Sequence, residues 1–199
     1  MDALTTATES ELVKRLQQGG RAAFEELLDR YERRIYNLAL RLLDGHRAEA
    51  EDAAQDIFLE VHRSISRFRG DSRLDTWIHR IAVNVCLQRR RKRKLSTVEL
   101  KDADGVHSPD GDPILSAQRA ELRSVMESAV KSLPDGQREV VLLHGMQGLS
   151  YSEVAEVLAC PVGTVKSRLS TAFRRLRETL TPYVNGDPTL GPAVVEAGK

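Results

Sequence analysis

Lys166, Ser167, Ser170, Thr171 and Arg174 fall on one side of a segment whose other side is apolar at three- and four-residue spacing. The apolar side runs through Val165, Leu169, Ala172 or Phe173, Leu176 and Leu180. On a helix the polar side becomes a row of hydroxyl and cationic donors, with Gly163 at its start and nothing bulky between them. Such a face suits the major groove of a DNA duplex, because donors reach base-edge acceptors and short side chains let the helix sink in. Thr164, Arg168, Arg175 and Arg177 lie toward the flanks, where phosphate contacts would fix the register. Upstream, Ser150 to Leu158 reads as a short helix with Val154, Ala155 and Leu158 inward and Ser150 or Ser152 as its cap; Ala159-Cys160 then makes a turn. The spacing predicts a helix-turn-helix.

A second polar stripe, Arg80, Asn84, Gln88 and Arg91, steps by four, four and three residues opposite Trp77, Ile81 and Val85. Asn is a mediocre helix former, and Asn84 interrupts an apolar run where its amide could read a base edge or be bonded within the bundle. Asp52, Asp56 and Glu60 repeat at intervals of four beside Gln55. Like charges at that spacing cost a few tenths of a kcal/mol each. The ridge therefore suits a basic protein partner, although solvation alone also explains it.

Catalytic patterns are missing. The sequence has no phosphate-binding Walker loop, dinucleotide glycine pattern or paired-His metalloprotease helix, and His46, His62, His79, His107 and His144 show no grouping. Cys86 and Cys160 stand far apart without ligand spacing and read as ordinary reduced thiols; no cofactor or metal is expected. A nuclease using Asp71 and Asp75 as metal ligands is the remaining enzymatic alternative.

Helices must position these residues. Phe24, Leu27, Leu28, Tyr31, Ile35, Leu38, Ala39, Leu42 and Leu43 predict one, broken by Asp44-Gly45. Ala53, Ile57, Val61 and Ile65 predict a second, up to Gly70; Trp77 to Val85 predict a third, running into the basic cluster. Four further helical patterns follow from Ala117: to Leu133, from Asp135 to about His144, from Ser150 to Leu158, and from about Pro161 to Leu180. Strand-type alternation is absent, so the 199 residues predict an all-α protein of two small helical domains, 10–94 and 117–181. Residues 95–116 read as a flexible acidic linker that could span at most about 75 Å, and 182–199 as a disordered tail. No stretch approaches the roughly 20 apolar residues of a membrane span, and the N-terminus does not read as a signal peptide, so a bacterial-type cytoplasmic address is expected.

The formal net charge of +1 conceals segregation. From Arg63 to Lys94 eleven bases face two acids, and from Ala159 to Arg177 five bases face none; Ala48 to Glu60 carries five acids and no base. Two separated basic patches match a phosphate surface, with the salt dependence that counterion release imposes.

The runs Asp52-Ala-Ala-Gln-Asp-Ile-Phe, Phe68-Arg-Gly-Asp-Ser-Arg-Leu-Asp-Thr-Trp-Ile-His-Arg-Ile-Ala-Val-Asn, Leu133-Pro and Gly163-Thr-Val-Lys-Ser-Arg-Leu together resemble bacterial RNA polymerase sigma factors of the extracytoplasmic-function (ECF) type. The likeness covers about Phe24 to Leu180. It implies an initiation factor, not an enzyme, that lends promoter recognition to core RNA polymerase, the partners being polymerase, promoter DNA and, left open, an anti-sigma protein, without membrane insertion. By that likeness Asp52, Gln55 and Asp56 would dock on the polymerase clamp helices. Phe68, Arg69, Asp71 and Ser72 would hold a flipped base of the unpaired minus-ten element, with Arg80, Asn84, Gln88 and Arg91 on the same element. Thr164, Lys166, Ser167, Arg168, Ser170, Thr171 and Arg174 would read the minus-thirty-five element as duplex. Family members often carry Asp where Gln88 stands, which leaves that contact open. A plain two-domain helix-turn-helix regulator is the alternative; it would need neither the acidic ridge nor the aromatic loop.

Overall fold

In the computed structural model the described residues, 2–95 and 113–185, form helices and no strands. In chain order they are α1 (Asp2–Gln17), α2 (Arg21–Leu42), α3 (Arg47–Ser64), a 3-10 turn (Ile65–Arg67), α4 (Leu74–Leu95), α5 (Pro113–Ser132), α6 (Asp135–Val140), a π turn (Val141–Met146), α7 (Tyr151–Val157) and α8 (Val162–Asn185).

α2 buries Leu27, Tyr31, Ile35, Leu38 and Leu42, the stripe its periodicity predicts. It stops where Asp44 (φ 63°) and Gly45 (φ 89°) turn left-handed and the Gly45 N–H donates back to Leu40 O at 2.8 Å. α3 answers with Ala50, Ala53, Ile57 and Val61, the alanines leaving room for the two backbones to approach. Each fully buried Leu or Ile here removes apolar area from water, stabilising the bundle by about 1.5–3 kcal/mol. α4 closes this first lobe with Leu74, Trp77, Ile78, Ala82, Val83 and Cys86. Its buried face is thus rotated slightly from the expected one, because Ile81 and Val85 are only half-buried.

The second lobe packs α5, α6, the π turn and α7 on α8. Val140, Val141, Leu142 and Leu143 are buried in succession, and α8 contributes Val165, Leu169, Ala172, Leu176 and Leu180. Ala172 therefore takes the position left open between it and Phe173, which is 40% exposed.

Three boundaries differ from the sequence reading. α1 begins before residue 10 and buries Leu12 and Leu16 against the first lobe. α5 begins at Pro113, inside the segment read as linker, since proline is well suited to a first helical turn. α8 continues through Pro182 to Asn185, the missing N–H falling in its last turn. The remaining linker, 96–112, and tail, 186–199, lie outside the described residues. Among the described residues no helix is long and apolar enough to cross a membrane.

Candidate nucleic-acid interface

The first surface is α4 and the loop before it. Two residues outside the expected site set this loop. Glu9 of α1 accepts the Leu74 N–H at 2.7 Å, satisfying a free donor at the start of α4. Gln17 donates to the carbonyl oxygens of Phe68 (2.8 Å) and Ile65 (3.3 Å), tying the loop to α1. Phe68 is half-buried with its ring centroid 5.1 Å from that of Trp77, while Arg69 and Asp71 are exposed and Ser72 is half-buried. Along α4, Asn84, Gln88 and Arg91 face solvent, so the Asn84 amide is not a buried bundle contact. Arg80 is half-buried and pairs with Glu156 of α7 at 3.8 Å.

The second surface is α7, the turn and α8. Ser150 rather than Ser152 caps α7: its hydroxyl accepts from the Glu153 N–H while the Glu153 carboxylate accepts from the Ser150 N–H, a reciprocal capping box. Burial works against the Glu153 charge, but the hydrogen bonds from Ser150 and Thr76 and the Arg73 guanidinium outweigh it and hold the carboxyl below its usual range. Ala159 turns the chain at φ 49°, a left-handed conformation that strains a residue with a Cβ. On α8, Lys166, Ser167, Ser170 and Arg174 are exposed, and Thr164 and Thr171 half-buried. A Cβ on Gly163 would meet nothing within 4 Å, so nothing in the described fold demands glycine there. The flank is less free than the spacing suggests. The Arg168 guanidinium lies over Gly136, where a Cβ would come within 3.2 Å of its Cζ, and Arg175 donates to Gln137 Oε1 at 3.2 Å.

The third surface is α3. Asp52 and Gln55 are exposed; Asp56 is exposed too but ion-paired with Arg89 of α4. Beside this ridge lies a groove of about 600 Å³ between α2 and α3, lined by Phe24, Leu28, Tyr36, Phe58 and Leu59, with Leu59 51% exposed. Sequence reasoning missed the groove. An exposed Leu next to the acidic stripe was its only signal.

The first two surfaces touch. Besides the Arg80 pair, Glu153 accepts from Thr76 (3.1 Å) and lies 3.4 Å from Arg73. Arg90 of α4, 5% exposed, meets Asp135 (2.8 Å) and Glu139 (3.4 Å) of α6. Burial raises the Glu139 carboxyl pKa despite the opposing pull of Arg90. Arg138 of α6 reaches Asp44 at 2.9 Å, and Asp44 also holds Arg93. Among the described residues no cluster of three or more His, Cys, Asp or Glu could hold a metal ion. Burial pushes the Cys86 thiol up to about 12, so it stays protonated at neutral pH.

Comparison with known proteins decides the family. The Sigma-70 region 2 model matches residues 27–95, and the Sigma-70, region 4 model matches residues 123–176. The chain is 36% identical over 193 residues to the RNA polymerase sigma-H factor of Pseudomonas aeruginosa, covering 91% of this chain and 98% of that one. The chain belongs to the ECF sigma factors. It is also 33% identical over 186 residues to the ECF RNA polymerase sigma-E factor of Haemophilus influenzae, covering 89% of this chain and 97% of that one. The sigma factor RpoE, solved in complex with the anti-sigma factor NepR from Bartonella quintana, superimposes with a TM-score of 0.66 at 27% identity over 79% of this chain and 96% of that one. CnrH, solved in complex with the cytosolic domain of CnrY, shares the fold with a TM-score of 0.65 at 24% identity, over 87% of this chain and 97% of that one. Like its family, this sigma factor is a transcription initiation factor that directs RNA polymerase to promoters. Region 2 contains α4 and the acidic ridge, and region 4 contains the helix-turn-helix.

Proposed function

We propose that the two lobes divide promoter recognition, residues 10–94 taking the minus-ten element as unpaired strand and 117–181 the minus-thirty-five element as duplex. The observation that carries this reading is the α8 row. Lys166, Ser170 and Arg174 are exposed and bonded to no described partner, and Gly163 beside them has no internal reason to be glycine. A surface of small donors without partners in its own fold fits an outside ligand with acceptor edges. Lys166, Ser167, Ser170, Thr171 and Arg174 read bases, and Thr164 and Arg168 sit at the edge of that contact.

In the first lobe Phe68 with Arg69, Asp71 and Ser72 receives the extruded base, and Arg80, Asn84, Gln88 and Arg91 follow the same strand. Phe68 must then turn part of its ring from Trp77 to the base, exchanging one aromatic contact for another. Asp52, Gln55 and Asp56 dock on polymerase, with the α2–α3 groove taking an apolar side chain of the partner. The factor acts in the cytoplasm, on nucleoid DNA, and neither catalysis nor a cofactor enters this reading. The solved complex of RpoE with the anti-sigma factor NepR supports an anti-sigma protein as a further partner. Purified chain, core polymerase and a promoter drawn from genes induced by overexpression test the reading. Promoter-dependent transcripts are expected; a plain repressor would only block them.

A further inference from the structure

α1 joins α2 through a tight corner, where Gly19 is left-handed (φ 76°) and a Cβ on Gly20 would stand 3.1 Å from Arg15 O. The helix buries Leu12 and Leu16 and is tied to α2 by the Arg15–Glu26 pair at 2.6 Å; it also packs against the 3-10 turn. Glu9 and Gln17 stand about 12 Å apart along it, at either end of the face that Leu12 and Leu16 bury. Their bonds bracket one segment. Gln17 Nε2 donates to Ile65 O (3.3 Å) and Phe68 O (2.8 Å), where the chain leaves the 3-10 turn. Glu9 Oε1 accepts the Leu74 N–H at 2.7 Å, where the chain enters α4. Between those points little else holds the loop: among the described residues the N–H groups of 69–73 donate to no backbone carbonyl, and a Cβ on Gly70 would meet nothing within 4 Å. A loop of this kind keeps one shape only where side chains from a rigid element fix it. Both partners of Gln17 are carbonyl oxygens, so only its amide NH2 can serve, and its two hydrogens match the two acceptors.

We propose that Glu9 and Gln17 are positioning residues for promoter opening: α1 holds the loop from Phe68 to Arg73 at both ends, in the shape that receives an extruded base. The proposal rests on the reading of that loop as the minus-ten contact and adds what preorganises it. A base that leaves the duplex gives up stacking and pairing, which its new site must offset. A loop that had first to be ordered would offset less, because fixing its backbone costs entropy at the moment of binding. With the Phe68 carbonyl held by Gln17, the Phe68 ring can turn from Trp77 toward the base while its backbone stays in place. Among the described residues neither the α8 row nor the acidic ridge bonds to Glu9 or Gln17, so duplex binding and polymerase docking do not depend on them.

The test uses the full chain. Trp77 is its single tryptophan and packs against Phe68, so acrylamide quenching of tryptophan emission reports where the loop sits. Gln17→Glu keeps the shape of the side chain but has no donor and sets a carboxylate against two carbonyls. Glu9→Ala removes the acceptor for the Leu74 N–H, and Glu9→Gln keeps one. Circular dichroism confirms that all three fold. Gln17→Glu and Glu9→Ala are expected to raise quenching and, with core polymerase on a promoter, to lower permanganate reactivity of thymines by about fivefold, the worth of one net hydrogen bond. Promoter-duplex affinity and co-purification with polymerase stay at the wild-type level, and Glu9→Gln restores both loop signals. Unchanged quenching in Gln17→Glu overturns the proposal, as does failure of Glu9→Gln to restore what Glu9→Ala loses. Opening lost together with duplex affinity or co-purification overturns it too, since the damage is then general. If quenching rises while thymines react normally, the positioning role is wrong, and Phe68→Ala shows how far the error extends. Impaired opening in Phe68→Ala leaves the loop as the minus-ten contact; normal opening there removes that reading as well.

Discussion

The two lobes carry similar cationic surfaces and treat them oppositely. On α8 the Lys166 and Arg174 side chains stand in solvent. On α4 the Arg80 and Arg90 side chains are already matched to carboxylates of the other lobe. The difference shows that a basic patch is not one kind of object. On α8 the exposed donors Lys166, Ser170 and Arg174 meet no partner among the described residues, whereas Arg80 and Arg90 of α4 are paired within the molecule. Arginine's planar fork pairs with a carboxylate or a phosphate alike, so the proposed DNA role of α4 is the one that must contend with partners already in place.

If the lobes are separate cooperative units, damage to one spares the other. Leu142→Ala empties a fully buried site in the second lobe and costs about 2–5 kcal/mol. Calorimetry is expected to show the second lobe melting early while the first keeps its transition; a single shifted transition would merge the two lobes into one. Asp52→Lys is expected to reduce co-purification with core polymerase more than tenfold at unchanged helicity, with Asp56→Lys doing the same and also breaking the Arg89 pair. Normal co-purification would remove the ridge from the docking surface. Lys166→Ala is expected to weaken duplex binding and make its salt slope shallower by about one, as loss of one phosphate or base cation does. Phe68→Ala spares duplex binding and impairs strand opening, so the pair of variants assigns each lobe its form of DNA. If both variants altered duplex binding alike, that division would fail. Ser150→Ala removes the α7 cap at about 1 kcal/mol, read from the melting of the second lobe.

The smallest effect is a pH dependence. The Glu153 carboxyl is held below its ordinary 4.5 in the folded chain, so the stability it contributes is complete above that value and disappears as pH falls through the folded value. As pH falls below the ordinary 4.5 the wild-type chain is expected to lose stability more steeply than Glu153→Gln. Parallel acid titrations would show that the hydrogen bonds from Ser150 and Thr76 do not hold the charge. Glu139, raised by burial, has the opposite sign: protonation is easier in the folded chain, so its contribution fades as pH rises.

Local features were legible in the sequence because they repeat at helical spacing. The stripes of α2 and α8 and the Asp44-Gly45 stop follow from neighbours within a turn or two, whereas the exposure of Asn84, left open by the sequence, is settled by the fold. α1 escaped because its 16 residues place only a few large apolar groups, Leu12 and Leu16 among them, on a polar background. The sequence offered Ser150 or Ser152 as the α7 cap; the reciprocal bond of Glu153 to Ser150 and its second duty toward Thr76 came only with the fold. Contacts between lobes join residues far apart, 94 positions for Arg138 and Asp44, and periodicity carries no information at that range. Likewise the packing of the Arg168 guanidinium over Gly136 left no trace in the spacing of α8.

Footprinting of the polymerase complex on promoter DNA, paired with permanganate detection of unpaired thymines, tests the division of labour most directly. Two protected patches about 25 base pairs apart are expected, with reactive thymines only in the downstream one; Lys166→Ala erases the upstream patch and Phe68→Ala the reactivity. A single continuous patch, or loss of downstream opening in Lys166→Ala with the upstream patch intact, would contradict it.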